Sequence, residues 1–149
     1  MVHKTSLLNV ALLSAASNLV LTFCQKKLFG PPELSDAVGE FVSSSSFLEY
    51  SVFVFLICVF VPACEELIFR GLLWRLLKGF IGELKVAWIV AIVFAFIHPL
   101  ESAVFLLPFS VYLSHLRYTT ESVKAGIVAH IAFNTAGLVF PSVINWIVT

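Results

Sequence analysis

Four polar side chains stand within otherwise apolar stretches of the sequence, and their types suit hydrolysis. They are Glu65, His98, His130 and Asn134. A carboxylate and an imidazole can hold a water molecule and remove its proton. An imidazole and an amide can donate hydrogen bonds to a developing oxyanion. One Glu and two His side chains are also zinc ligands, so the residue types alone leave metal-free and metal-assisted hydrolysis open.

The spacing of the residues places further polar side chains on shared helix faces. Residues four apart lie on one face of a helix, which pairs His130 with Asn134 and Glu66 with Arg70. An ion pair between Glu66 and Arg70 would lower the cost of holding either charge in lipid. Glu65 is rotated by about 100° from Glu66. We therefore expect a structural ion pair of Glu66 and Arg70, and we expect Glu65 to carry the chemistry.

The composition indicates that lipid surrounds these residues. Of the 149 residues, 60% are hydrophobic and 12% are charged, and the mean hydropathy is +1.01. Soluble domains have about 45–50% apolar and about 25% charged residues. The formal net charge is zero, so no basic patch favours nucleic acid as a partner. We expect an integral, multi-pass membrane protein.

Five apolar segments predict the helices that position the polar residues, since a membrane-spanning helix needs about 20 mostly apolar residues. The predicted fold is all-α, a polytopic transmembrane helix bundle of about five spans. It forms a single domain over residues 1–149, with a motif core at about 48–139. The first segment is longer than a signal-peptide core of about 7–15 residues, so we expect it to be retained. The segments are Ser6–Phe23, Leu48–Leu77, Val86–His98, Ser102–Tyr118 and a fifth that starts at Ser122.

Two features outside these segments complete the predicted topology. A polar loop, alone or with a short surface helix, is expected over Cys24–Ser46, and Pro141 is expected to bend or end the fifth helix. The side of the membrane with more Lys and Arg residues is cytoplasmic, and six against two places the N-terminus there. The six are Lys4, Arg75, Lys78, Lys85, Arg117 and Lys124, and the two are Lys26 and Lys27.

The predicted depths of the four polar residues bring them together near the membrane midplane. A helix rises 1.5 Å per residue. From the expected cytoplasmic helix ends, Glu65, His98 and Asn134 lie about 18 Å deep and His130 about 12 Å deep, in an apolar layer about 30 Å thick. Three helices thus supply one catalytic pocket. Phe94 lies one turn before His98 and is expected to line this pocket.

Three ordered motifs contain these residues. Glu65–Arg70 reads EExxxR, Phe94–His98 reads FxxxH and His130–Asn134 reads HxxxN. The sequence has neither the HExxH of zinc metalloproteases nor the GxSxG of serine hydrolases. The ordered triple resembles the CAAX prenyl protease and bacteriocin-processing (CPBP) family, also called the Abi family, over the stretch from Glu65 to Asn134.

The resemblance implies an intramembrane endopeptidase. In the family the first Glu and the His of the second motif are thought to activate water, here Glu65 and His98, while His130 and Asn134 would stabilise the oxyanion. We favour a glutamate-type protease without a cofactor, because no His pair has a close zinc spacing. The alternative is a divalent metal such as zinc, held by Glu65, His98 and His130. The implied partners are membrane lipid and a peptide or prenylated protein substrate.

Other readings stay open beside the protease. The chain is short for the family, so its substrate cavity would be open, partial or completed by a homo-oligomer. A non-catalytic bacteriocin-immunity or scaffold protein would keep its biological effect after Glu65→Ala. An ion carrier would use the buried Glu and His as an ion pathway, although the two matching halves typical of such carriers are absent from the sequence.

Overall fold

Five helices contain most of the residues that the computed structural model describes. It describes residues 6–29, 39–41 and 43–148, without the side chains of residue 29 and residues 140–148. No strand occurs in these ranges, which confirms the all-α prediction. The helices are α1 (Leu7–Phe29), α2 (Phe47–Ile81), α3 (Glu83–Phe96), α4 (Leu100–Thr120) and α5 (Val123–Val148).

Two helices within the described ranges are long and apolar enough to cross a membrane. They are the segment Leu7–Leu28 of α1 and the whole of α2, while Val123–Val139 in α5 is a shorter apolar stretch. Helix α3 has 14 residues, fewer than the about 20 that a span needs. The number of spans and the orientation stay predictions, and Lys4, on which the orientation partly rests, lies outside the described residues.

The N-terminal part of the predicted loop at Cys24–Ser46 is helical. Helix α1 continues through Lys26 and Lys27 to Phe29, so its end was predicted too early. Residues 39–41 and 43–44 of the same segment are also helical. The remainder of the predicted loop, residues 30–38 and 42, lies outside the described residues.

Near two prolines, Pro99 and Pro141, the helix ends in the structure differ from the predicted ones. Helix α3 ends at Phe96 and leaves His98 in the turn before α4, because the residue before a proline disfavours the helical conformation. Pro99 is the N-cap residue of α4. Helix α5 instead continues through Pro141 to its last described residue, so the predicted end at this proline is wrong. A helix can pass a proline at the cost of one backbone hydrogen bond and a kink.

Local sequence signals set both ends of the long helix α2. The Ser46 hydroxyl accepts from the Glu49 amide, and the Glu49 carboxylate accepts from the Ser46 amide at 2.8 Å, which is a reciprocal cap. The helix ends at Gly82, whose φ of +81° is open to glycine without steric cost. The reversal there returns α3 along α2, so that Trp74 and Val90 share one buried cluster.

Helix α2 contains two π-helical turns, one on each side of the acidic residues. They span Leu56–Phe60 and Leu67–Leu73. In a π turn the amide bonds the carbonyl five residues back instead of four, and such turns are frequent at functional sites. The helix is wider there, so residues on either side of each turn no longer keep the spacing of a uniform α-helix.

The first π turn leaves a carbonyl without the donor that its register would supply. The Val61 amide donates to the Leu56 carbonyl, five residues back. The next amide in this register would be that of Pro62, which has no hydrogen to give. The Ile57 carbonyl therefore needs a donor from elsewhere, and an unpaired carbonyl in an apolar surrounding is costly.

Helix α1 packs chiefly along α5, and α3 along α4. Helices α1 and α5 approach each other closely at Gly137, where an added Cβ atom would lie 3.0 Å from the Asn18 side-chain nitrogen. Asn18 is buried. Next to this contact, Val10 of α1 and Phe133 of α5 belong to one apolar core cluster. Glycine is therefore the residue that lets the two helices meet.

We predict that Gly137→Val loosens the contact between α1 and α5. The added side chain must displace Asn18, and overpacking of this kind costs about 1–3 kcal/mol. The measurement is the Tm of the purified protein in detergent. Gly79→Val is the matched control, because no atom lies within 4 Å of a Cβ added there. Equal Tm changes for the two variants would contradict the proposed close approach.

Candidate active site

The Glu66 carboxylate and the Arg70 guanidinium form a fully buried ion pair. Arg70 Nη1 donates to Glu66 Oε1 at 2.8 Å, and neither side chain is exposed. Arg70 Nη2 donates to the Ser110 hydroxyl at 2.6 Å and to its carbonyl at 3.2 Å. The guanidinium also lies 4.4 Å from the centre of the Phe94 ring. Helices α3 and α4 thus enclose a charge pair that belongs to α2.

The His130 imidazole bridges the two neighbouring carboxylates. Its Nδ1 lies 3.2 Å from Glu66 Oε1, and its Nε2 lies 3.6 Å from Glu65 Oε2. An ionised carboxylate can only accept a hydrogen bond, so the nitrogen that bonds Glu66, the partner of Arg70, is the one that carries hydrogen. Nε2 then faces Glu65 at a distance longer than a direct hydrogen bond. A water molecule can contact both atoms from one side.

Aromatic rings exclude water from the remaining faces of His130. The Phe94 and Phe109 rings meet it edge to face, with centroids at 5.6 and 5.7 Å. His130 is 5% exposed, whereas the Glu65 side chain is 24% exposed. Glu65 is therefore the carboxylate of this cluster that remains open to a reactant.

His98 contacts the same aromatic wall but not Glu65. Its ring lies 5.2 Å from the Phe94 ring, and its Nδ1 lies 2.9 Å from the Phe94 carbonyl. No hydrogen bond or ion pair joins it to Glu65 or to His130, which are both described. The sequence predicted His98 at the end of the third helix, at the depth of Glu65. In the structure His98 lies in the turn beyond Phe96, and it forms no bond to Glu65.

Asn134 binds the carbonyl that Pro62 leaves without a donor. Its Nδ2 donates to the Ile57 carbonyl at 2.9 Å. This bond ties α5 to the first π turn of α2. The side-chain amide carries two hydrogens, and the bond to Ile57 uses one of them.

Sequence reasoning counted Arg117 only among the cations of the cytoplasmic side and did not foresee its buried contacts. Its side chain is 8% exposed, and its Nε donates to the Arg70 carbonyl at 3.0 Å. Arg117 follows Ser110 by seven residues, so both lie on one face of α4 and both contact Arg70. The seven-residue spacing of this hydroxyl and this guanidinium in an apolar helix was the sequence signal that could have predicted their shared contact.

Gly126 is a second residue that the sequence analysis missed. An added Cβ atom would lie 2.7 Å from Glu66 Oε2, so only glycine lets α5 come this close to the carboxylate. Gly126 precedes His130 by four residues and shares its helix face. A glycine one turn before a motif histidine was therefore a readable signal.

An apolar cavity of about 460 Å³ adjoins the cluster between α1 and α4. Phe109 lines it and also contacts the His130 ring, so the cavity and the ionisable residues share one side chain. The cavity is lined by Leu13, Ala16, Ser17, Val20, Leu21, Pro108, Phe109 and Tyr112.

The donor groups in the cluster bear on the metal alternative. Among the described residues, no group of three or more His, Cys, Asp or Glu side chains has an arrangement that could hold a metal ion. Of the predicted ligand set, Glu65 and His130 are near each other, and His98 is not joined to them.

We predict that Arg70→Met destabilises the protein by about 3–5 kcal/mol, because it leaves the Glu66 carboxylate buried without its cation. The measurement is the free energy of unfolding in detergent. Glu66→Gln added to Arg70→Met should recover part of the loss. Lys78→Met is the control, since its exposed partner Glu83 makes a pair worth about 0–1 kcal/mol. A similar loss in both single variants would contradict the buried pair.

We predict that Gly126→Ala also lowers the Tm, since its methyl group collides with a carboxylate that Arg70 and His130 hold in place. Overpacking of this kind costs about 1–3 kcal/mol. Gly71→Ala is the control, because its nearest atom, the Glu66 carbonyl oxygen, lies at an ordinary contact distance of 3.8 Å. Its Tm should stay unchanged or rise. An unchanged Tm in Gly126→Ala would show that Glu66 is free to move.

Comparison with known proteins gives a match to one family model. The family model described as "Type II CAAX prenyl endopeptidase Rce1-like" matches residues 47–136, more than half of the chain. This stretch contains α2, α3, α4 and the part of α5 that carries His130. No match to a curated protein or to a solved structure was found. The CAAX protease resemblance is confirmed, and the chain belongs to the Rce1-like family of type II CAAX prenyl endopeptidases.

Proposed function

We propose that this protein is an intramembrane endopeptidase that hydrolyses a peptide bond of a membrane-associated or prenylated substrate. The observation that carries the proposal is the approach of Glu65 Oε2 to His130 Nε2 at 3.6 Å, among apolar helices that enclose the remainder of the cluster. Family membership supports a protease of the CAAX type. The proposed pocket lies near the membrane midplane, in a bundle of about five spans with a cytoplasmic N-terminus.

In the proposed first step, water binds between Glu65 and His130. It donates one hydrogen to Glu65 Oε2 and the other to His130 Nε2, so its lone pair faces the substrate carbonyl. Glu65 takes a proton as the water oxygen attacks the carbonyl carbon, and a tetrahedral oxyanion forms. Glu65 then returns this proton to the leaving amine as the C–N bond breaks. Every atom of the water ends in the two products.

The buried pair orients His130 for this step. Glu66 Oε1 holds the hydrogen on Nδ1, which leaves Nε2 as the acceptor that faces Glu65. Arg70 holds Glu66 in position through its own bond to Oε1. A carboxylate that fixes the tautomer of a neighbouring imidazole is a recurring arrangement in catalytic sites. Glu66 and Arg70 are therefore positioning residues in the proposal.

His98 and Asn134 complete the proposed catalytic set. The Phe94 carbonyl holds the Nδ1 hydrogen of His98, so Nε2 is its ring nitrogen open to water or substrate. Asn134 has one amide hydrogen that Ile57 does not use, and it can donate to the developing oxyanion. We favour this glutamate-type mechanism over a metalloprotease because side chains alone supply each step.

The apolar cavity supports the proposed substrate class. A membrane-associated or prenylated peptide brings apolar surface to the site, and a cavity lined by apolar side chains buries such surface favourably. Phe109 lines the cavity and contacts His130, so a group bound there would be separated from the proposed site by one aromatic ring.

We predict that Glu65→Gln lowers kcat by about 10²–10⁴-fold, the usual contribution of a general base, with little change in KM. The assay follows cleavage of prenylated and unprenylated peptides by purified protein in detergent, using mass spectrometry. The matched control is Glu40→Gln, which changes an exposed carboxylate outside the segment that matches the family model. The Tm of each variant reports whether it is folded.

A chelator-treated sample of the unchanged protein distinguishes the two mechanisms. Cleavage that survives chelation and disappears in Glu65→Gln supports the glutamate-type peptidase. Loss in both samples would replace it with a metalloenzyme. Cleavage that persists in a folded Glu65→Gln variant would overturn the catalytic assignment, and absence of cleavage of every peptide would favour the non-catalytic immunity or scaffold alternative.

A further inference from the structure

The second π turn of α2 skips the backbone carbonyl of Arg70. The Trp74 amide, four residues further on, would bond this carbonyl in a regular α-helix. It donates instead to the carbonyls of Phe69 and Gly71. This carbonyl belongs to the residue that holds Glu66, so a hydrogen bond to it bears on the geometry of the proposed site.

Arg117 of α4 provides that partner. Its Nε donates to the Arg70 carbonyl at 3.0 Å in a buried hydrogen bond. Its guanidinium carbon lies 5.3 Å from the centre of the Trp74 ring, the residue whose amide is diverted. Arg117 thus packs against the π turn from α4, while the Arg70 side chain of the same turn bonds Glu66.

The surroundings of Arg117 are unusual for a buried cation. In the described part of the chain, no carboxylate forms an ion pair with it, and its guanidinium contacts a carbonyl and an aromatic ring. A charge that is 8% exposed and has no counter-ion is expensive to bury. A structural filler of this position would not need that charge, so the hydrogen bond to the carbonyl is the feature that distinguishes Arg117 from an apolar residue.

We propose that Arg117 is a positioning residue for the active site, an inference that rests on the proposed function. It fixes the Arg70 backbone, and Ser110 on the same face of α4 fixes the Arg70 side chain. Arg70 holds Glu66, Glu66 holds Nδ1 of His130, and Nε2 of His130 faces Glu65. Arg117 therefore sets the alignment of the water-activating pair without touching substrate.

Side-chain chemistry offers a matched set of variants for this position. Gln carries its amide nitrogen as many bonds from Cα as the Nε of Arg, so Arg117→Gln keeps a donor for the carbonyl and loses the charge. Arg117→Met has a similar length and no donor. Arg117→Asn has the amide one carbon short of the carbonyl, and it replaces the Met variant should that variant not fold. Arg75→Met removes an exposed cation from α2 and is the control.

Two readouts separate positioning from general stability. Amide hydrogen exchange over residues 69–75, measured by mass spectrometry in detergent, reports the π turn without any substrate. We expect faster exchange in Arg117→Met, with α1 and α5 unchanged and with Arg117→Gln like the original protein. We also expect kcat for peptide cleavage to fall by about 10²-fold in Arg117→Met, the effect of a misplaced catalytic group, at constant KM, with rescue in Arg117→Gln.

The outcomes distinguish this inference from the proposed function. Unchanged exchange in both Arg117→Met and Arg117→Asn would overturn the positioning role, as would equal losses in Arg117→Gln and Arg117→Met. If no variant and no original protein cleaves any peptide, the proposed function fails, and the exchange data alone decide whether Arg117 holds the π turn. Faster exchange with an unchanged kcat would also overturn the inference, because the turn would then move without consequence for the site.

Discussion

The burial of the Glu66 carboxylate is the constraint on which the remainder of the structure depends. An isolated buried carboxylate is strongly unfavourable, so its negative charge requires donors at fixed positions. Oε1 receives both Arg70 and His130, while Oε2 lies against the backbone of Gly126. Two helices, α2 and α5, must therefore meet at one side chain. The proposed catalytic carboxylate is the next residue in the chain, which places Glu65 at the edge of a rigid centre.

The two π turns reconcile this centre with the length of α2. A uniform helix would have to place the acidic residues, Arg70 and the apolar surface of α2 on faces fixed by the 3.6-residue period. Each turn rotates the following segment, and each releases a carbonyl from the regular hydrogen-bond pattern. Asn134 bonds the first carbonyl and Arg117 bonds the second. Side chains of α5 and α4 thus bond the two carbonyls that depart from the regular pattern of α2.

Sequence reasoning could select Glu65, Glu66, Arg70 and His130 because residue type and spacing along one helix are read directly from neighbouring positions. The four-residue interval between Glu66 and Arg70 survives in the structure, and ionisable residues in apolar segments mark functional sites. It ended the third helix at His98 instead of Phe96, and it did not foresee the buried contacts of Arg117. Pro99 ends the third helix early, and the role of Arg117 depends on a π turn in a different helix, which no local pattern in α4 reveals.

Asn134 shows how closely structure and chemistry are coupled in this site. In an apolar layer no water is available to satisfy a backbone carbonyl, so the Ile57 carbonyl requires the Asn134 amide once Pro62 removes the backbone donor. The same amide has a second hydrogen for an oxyanion. A loss of activity in an Asn134 variant would then report a displaced helix as readily as a lost oxyanion donor. Residues with one task, such as Glu65, are for that reason the informative ones to change when the chemistry is tested.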